Sequence, residues 1–114
     1  MTVAYMTNAA DVLMTIGLSS TLPSAIVQTG GVVTNSNAVT GLQINGGKWE
    51  QTAIDGIGGN IATLDLYAGL FTWKAGNITT ANIFGGKVMA SNYRSGKTLT
   101  TGNLYANGIL DISA

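Results

Sequence analysis

Ile78-Thr-Thr-Ala-Asn-Ile-Phe-Gly-Gly-Lys-Val88 decides how this chain is read, because the same pattern returns three more times. The other copies are Val39-Thr-Gly-Leu-Gln-Ile-Asn-Gly-Gly-Lys-Trp49, Ile61-Ala-Thr-Leu-Asp-Leu-Tyr-Ala-Gly-Leu-Phe71 and Leu99-Thr-Thr-Gly-Asn-Leu-Tyr-Ala-Asn-Gly-Ile109. Each is an aliphatic residue, a small or Thr pair, a polar residue between two mostly apolar ones, a Gly-rich corner and a further apolar residue. Their starts lie 22, 17 and 21 residues apart. Self-similarity at about 20 residues marks a stack of coils, none of which can bury its apolar face without its neighbours.

Alternation within a copy assigns the faces. Leu42 and Ile44, Leu64 and Leu66, Ala81 and Ile83, and Leu104 point inward, with Gln43, Asp65, Asn82 and Asn103 in the outward column beside them. Strict alternation would expose Val39, Ile61, Ile78 and Leu99, so a bend is expected to turn them in. Beyond the Gly corner, Trp49, Phe71, Val88 and Ile109 form a second inward column. Asn45, Tyr67, Phe84 and Tyr105 share one outward slot, which predicts a strip of rings on an exposed sheet face. Such a strip suits a contact with a subunit or partner, a sugar platform, or a stack that merely stiffens the sheet. Thr40, Thr79 and Thr100, with Thr63, Thr80 and Thr101, form Thr columns; Gly41 and Ala62 break them, so a regular water-ordering array is not expected.

Outside the four copies the pattern weakens. Ala25 to Val33, with Gly30-Gly31, reads as an earlier coil whose register against Gly46-Gly47 is ambiguous by one residue, and residues 6–22 can supply another. Asn8 to Met14 allows a short helical turn, but Leu13, Met14, Ile16 and Leu18 read better as a strand. Gly occurs 16 times and Thr, Val and Ile fill the segments between, which disfavours helix throughout. The expected fold is all-β: a short, single-stranded, right-handed parallel β-helix of five to six coils, with residues 1–30 a cap or docking segment and 31–114 the repeat body.

Composition narrows the chemistry. Charged residues are 9% of the 114, five basic and five acidic, so no net charge calls for nucleic acid or an anionic membrane. Cys and His are both absent, which removes thiolate chemistry, the usual general base and the commonest transition-metal ligand. No metal or cofactor is expected. Carboxylates are the remaining catalytic candidates, with Glu50 and Asp55 near one corner and Asp65 one coil on; solvated corner residues explain them better than an acid–base pair. Ser95-Gly96-Lys97-Thr98 lacks the upstream Gly of a phosphate loop. No basic n-region precedes the apolar start, so no signal peptide is expected, and no membrane-spanning helix is either.

The copies at Ile61, Ile78 and Leu99 resemble the small Gly/Thr-rich β-helix proteins encoded in the structural-gene region of tailed phages, over roughly residues 25–112. That resemblance implies a non-enzymatic virion protein on the capsid surface, made in the host cytoplasm: a capsid decoration or cement protein, or a head fibre. Its implied partners are the major capsid protein and itself, commonly as a homotrimer. On this reading Tyr67, Phe84 and Tyr105 contact a symmetry mate, and Tyr5, Met6, Val12, Leu13, Met14, Ile16 and Leu18 dock on the shell. The alternative is a carbohydrate-binding or depolymerising tail-spike fragment that uses Tyr67, Tyr105, Trp73 and the acids. An adhesin passenger would need a secretion signal.

Overall fold

The computed structural model describes residues 6–8, 13–16, 25–52, 59–90 and 97–112. It is all-β, and the described residues form ten strands: β1 (Met6–Asn8), β2 (Leu13–Ile16), β3 (Ile26–Gln28), β4 (Val32–Asn35), β5 (Val39–Ile44), β6 (Lys48–Gln51), β7 (Ile61–Leu66), β8 (Leu70–Trp73), β9 (Ile78–Ala90) and β10 (Leu99–Asp111). No helix occurs among the described residues, and Leu13 to Ile16 is strand rather than a helical turn.

Every strand pair is parallel. One run orders as β1-β3-β5-β7-β9 and the other as β2-β4-β6-β8-β9, so the two meet in β9, with β10 laid along β9. The first part of β9 pairs with β7 and the last part with β8, which curls the whole into one sheet around a core. The strands of the 1–30 segment, β1 to β3, pair into this same sheet.

The registers match the expected columns. Val39 pairs with Ile61 and Ile61 with Ile78, while Leu42–Leu64–Ala81 and Ile44–Leu66–Ile83 line up in successive strands. Val39, Ile61 and Ile78 are buried with these two inward columns, as are Trp49, Phe71 and Val88. Burial of about 1.5–3 kcal/mol per large aliphatic or aromatic side chain is the main favourable term for such a stack. The Gly30-Gly31 register also resolves: Gln28 pairs with Ile44 and Val32 with Lys48, which sets Gly31 beside Gly47.

Gly31, Gly47, Gly69 and Gly86 all have positive φ, between 72 and 95°. A Cβ on Gly69 would lie 2.5 Å from the Gly47 carbonyl oxygen, and one on Gly86 would lie 2.6 Å from that of Gly69. The corner therefore requires glycine twice over, for its backbone conformation and for the approach of one corner to the next.

One column is corrected. Leu110, not Ile109, pairs with Val88, and Ile109 falls beside Lys87. The cause is an extra residue in the last copy: the register slips between Leu104 and Asn107, a β-bulge at the corner. Ile109 is accordingly 54% exposed, and Leu110 packs partly against the core. Leu104 holds its expected place beside Ile83 but is 57% exposed, since among the described strands β10 pairs only with β9.

Candidate interaction face

The outward surface of β5, β7, β9 and the first half of β10 gathers most of the residues that the sequence singles out. Their parity follows from the inward Leu/Ile columns, so the packed core fixes which side chains the face displays.

Tyr67, Phe84 and Tyr105 stack as one column. Ring centroids are 4.7 Å apart for Tyr67–Phe84 and 4.6 Å for Phe84–Tyr105, with interplanar angles of 13° and 17°. The spacing is close to the strand repeat of about 4.8 Å, so parallel in-register strands produce the stack without distortion. Tyr67 and Tyr105 are each about half exposed, at 48% and 49%. The strip is a preformed flat aromatic surface with two phenol hydroxyls.

Beside it runs a polar ladder. Asn82 Nδ2 donates to Asp65 Oδ1 at 2.8 Å, and Asn103 Nδ2 donates to Asn82 Oδ1 at 2.8 Å. In the preceding strand Gln43 Nε2 donates to Asn45 Oδ1 at 3.0 Å. A second amide ladder lies where the strands begin: Asn60 Oδ1 accepts from the Asn77 backbone N–H and Asn77 Oδ1 from that of Thr98, at 2.9 and 3.0 Å. Thr40, Thr79, Thr98 and Thr100, with Asn60 and Asn77, line a shallow, open depression of about 590 Å³. Its lining is uncharged, with Ala38, Val39, Ile61 and Ala62 among the hydroxyls and amides.

The described acids all have partners. Glu50 pairs with Lys74 at 3.2 Å, Asp111 with Lys87 at 3.2 Å, and Asp65 accepts from Asn82. Asp55 and Asp11 lie outside the described residues. Among the described residues no group of three potential ligands gathers for a metal. Trp73, named for the glycan alternative, is 1% exposed and its Nε1–H donates to the Gly76 carbonyl at 2.9 Å, so it belongs to the core. Of the proposed shell-docking residues, Tyr5, Val12 and Leu18 lie outside the described residues, and Met6, Met14 and Ile16 sit on β1 and β2. Leu13, on β2, is 74% exposed.

Sequence reading missed a buried polar set. Gln51 Oε1 accepts from Trp49 Nε1 at 2.7 Å and from Asn35 Nδ2 at 2.9 Å, while its Nε2 donates to the carbonyls of Asn37 and Gly59 at 3.0 Å each. Gln28 Nε2 donates to the carbonyls of Gly30, Gly31 and Lys48. These amides tie the corner carbonyls to the core, where open turns would otherwise leave them unpaired. Parity could have found two of them: Asn35 and Gln51 stand two residues after the inward Val33 and Trp49. Lys97 is also buried, and the loss of water around its ammonium pulls its pKa below the ordinary lysine value.

Compared with family models, curated proteins and solved structures, the chain matches none.

Proposed function

We propose that this chain is a right-handed parallel β-helix of six coils acting as a non-enzymatic structural protein, which associates laterally through the Tyr67–Phe84–Tyr105 strip. The observation that carries this reading is the stack itself: three rings held parallel, two of them half exposed, on a face where Asp65, hydrogen-bonded to Asn82, is the one charged side chain among the described residues. Parallel crossovers are overwhelmingly right-handed, which gives the hand. A rigid aromatic strip loses little conformational freedom on binding, so its burial contributes more of its area to affinity than flexible side chains would.

The biological setting is a virion. The likeness of the repeats to phage structural β-helices supports a capsid decoration or cement protein, or a head fibre, on the outer surface of the head. The protein forms a homo-oligomer, commonly a trimer at a three-fold position, and its N-terminal segment meets the major capsid protein. The absence of His and Cys, and the engagement of Glu50 and Asp65 by Lys74 and Asn82, support a role without catalysis.

Light scattering on the Tyr67→Ser/Tyr105→Ser variant tests the strip: the oligomer mass should fall, and an unchanged mass would count against lateral contact there. Cosedimentation with purified phage heads tests the setting, and a chain that never pellets with any head would remove it. The Thr/Asn-lined depression favours a second reading, a neutral glycan held by hydroxyls and amides where these strands begin, with the rings further along the same strands. A glycan array decides it, with Tyr67 and Tyr105 but not Trp73 required for binding.

A further inference from the structure

A second outward column runs along the other side of the Gly corner. Lys48, Leu70, Lys87 and Ile109 pair in successive strands, and Val32 precedes them on β4. Leu70 is half-buried, while Val32 and Ile109 are 40% and 54% exposed. This column therefore offers aliphatic surface interleaved with lysines. The corner between it and the rings is short. Lys48 follows Asn45, Leu70 follows Tyr67 and Lys87 follows Phe84 by three residues each, and the bulge makes it four from Tyr105 to Ile109. The chain thus has two unlike flanks on different runs of the sheet, one on each side of one corner.

Charge divides in the same way. Asp65 is the one charged side chain on the ring flank among the described residues. On the other flank Lys74 and Lys87 hold Glu50 and Asp111, while the exposed Lys48 has no acid partner among the described residues. Ring flank on ring flank would put two Asp65 carboxylates into one interface and no cation with them. Unlike flanks bring one acid to a surface that carries a spare lysine.

We infer that the ring flank of one copy packs against the Lys48–Leu70–Lys87–Ile109 column of a second copy, around an axis parallel to the coil axis. Rotation about such an axis leaves every residue at its own height. A chain that climbs one strand step of about 4.8 Å per coil of about 20 residues climbs less than about 1 Å over a corner of three or four. Each ring therefore meets the residue that follows its own corner. Tyr67 faces the partner's Leu70, Phe84 faces the partner's Lys87 and Tyr105 faces the partner's Ile109. Ring on aliphatic removes apolar area from water at two levels. At the level between them an ammonium-bearing side chain lies against Phe84, where the ring quadrupole attracts it. A contact between unlike flanks is heterologous and can repeat around a closed ring, whereas like flanks would stop at a pair. The inference rests on the coil stacking and lateral association proposed above, and adds which surface of the mate receives the strip.

Flank-specific variants test it. Leu70→Ser/Ile109→Ser alters the lysine flank alone, and its mass by light scattering should fall to that of a single chain. Circular dichroism checks that β-structure is kept. The chain has no Cys, so Tyr105→Cys and Ile109→Cys each carry one thiol, at positions 49% and 54% exposed. Mild oxidation of the two coexpressed variants should give a covalent dimer of unlike chains, and neither variant alone should give one. A Leu70→Ser/Ile109→Ser protein of unchanged oligomer mass would overturn the inference, and so would a disulfide dimer from Tyr105→Cys alone or none from the coexpressed pair. Each of those results would leave lateral association through the strip standing if Tyr67→Ser/Tyr105→Ser still lowers the mass. Wild type that stays a single chain at every concentration would overturn both.

Discussion

At the residue scale, the sharpest demands come from groups that the repeat cannot change. Gln51 makes four hydrogen bonds in a site with no water-exposed surface. Gln51→Leu keeps the volume but strands the Trp49 indole N–H and takes a partner from the Gly59 carbonyl, while the Asn35 amide and the Asn37 carbonyl keep each other. At roughly 1–3 kcal/mol per unsatisfied buried group, the loss should be at least about 2 kcal/mol in urea unfolding. Gly69→Ala should cost about 2 kcal/mol or more, because φ is +95° and the Gly47 carbonyl oxygen stands where the methyl must go. Gly102→Ala is the control: its nearest obstacle is the mobile end of the Leu99 side chain, so the same unfolding experiment should show a far smaller change. Lys97 gives a pH signature. Burial lowers its folded pKa, so the unfolded chain binds more protons between that value and the ordinary lysine value, and stability should rise with pH across that alkaline window. Below the folded pKa the full cost of the buried charge applies. Lys97→Met should flatten the rise, and an identical slope in both proteins would contradict it.

At the element scale, the strands show how far alternation carries and where it stops. Polar and apolar parity was enough to set Gln43, Asp65, Asn82 and Asn103 outward, to predict the bend that turns Val39, Ile61 and Ile78 inward, and to put Tyr67, Phe84 and Tyr105 in one slot. The structure forms all three. Parity failed in β10, where one inserted residue at the corner shifted Ile109 out and Leu110 in; a corner insertion leaves each arm looking regular, so the sequence does not reveal on which side of the turn to count it. The buried amides were overlooked for a different reason. Asn and Gln ordinarily stand at the surface, whereas turns packed on turns need internal donors for their carbonyls. Phe84 is the element's keystone, with a ring on each face, so Phe84→Ala should lose two stacking contacts of about 0.5–1.5 kcal/mol each besides its burial. By contrast, the exposed Glu50–Lys74 pair should matter little, and Glu50→Gln should leave the unfolding midpoint nearly unchanged.

At the scale of the whole molecule, the lateral role proposed for the aromatic strip depends on one curled sheet of parallel strands with like columns in line. The low charge gives little protection from self-association, so ionic strength should have a weak effect on assembly. Inter-strand nuclear Overhauser contacts measure the strand arrangement most directly. Backbone contacts should link Gln43 to Asp65, Asp65 to Asn82 and Asn82 to Asn103 in the staggered pattern of parallel strands. Antiparallel contacts between neighbouring segments such as β5 and β6, with none across those three pairs, would contradict it.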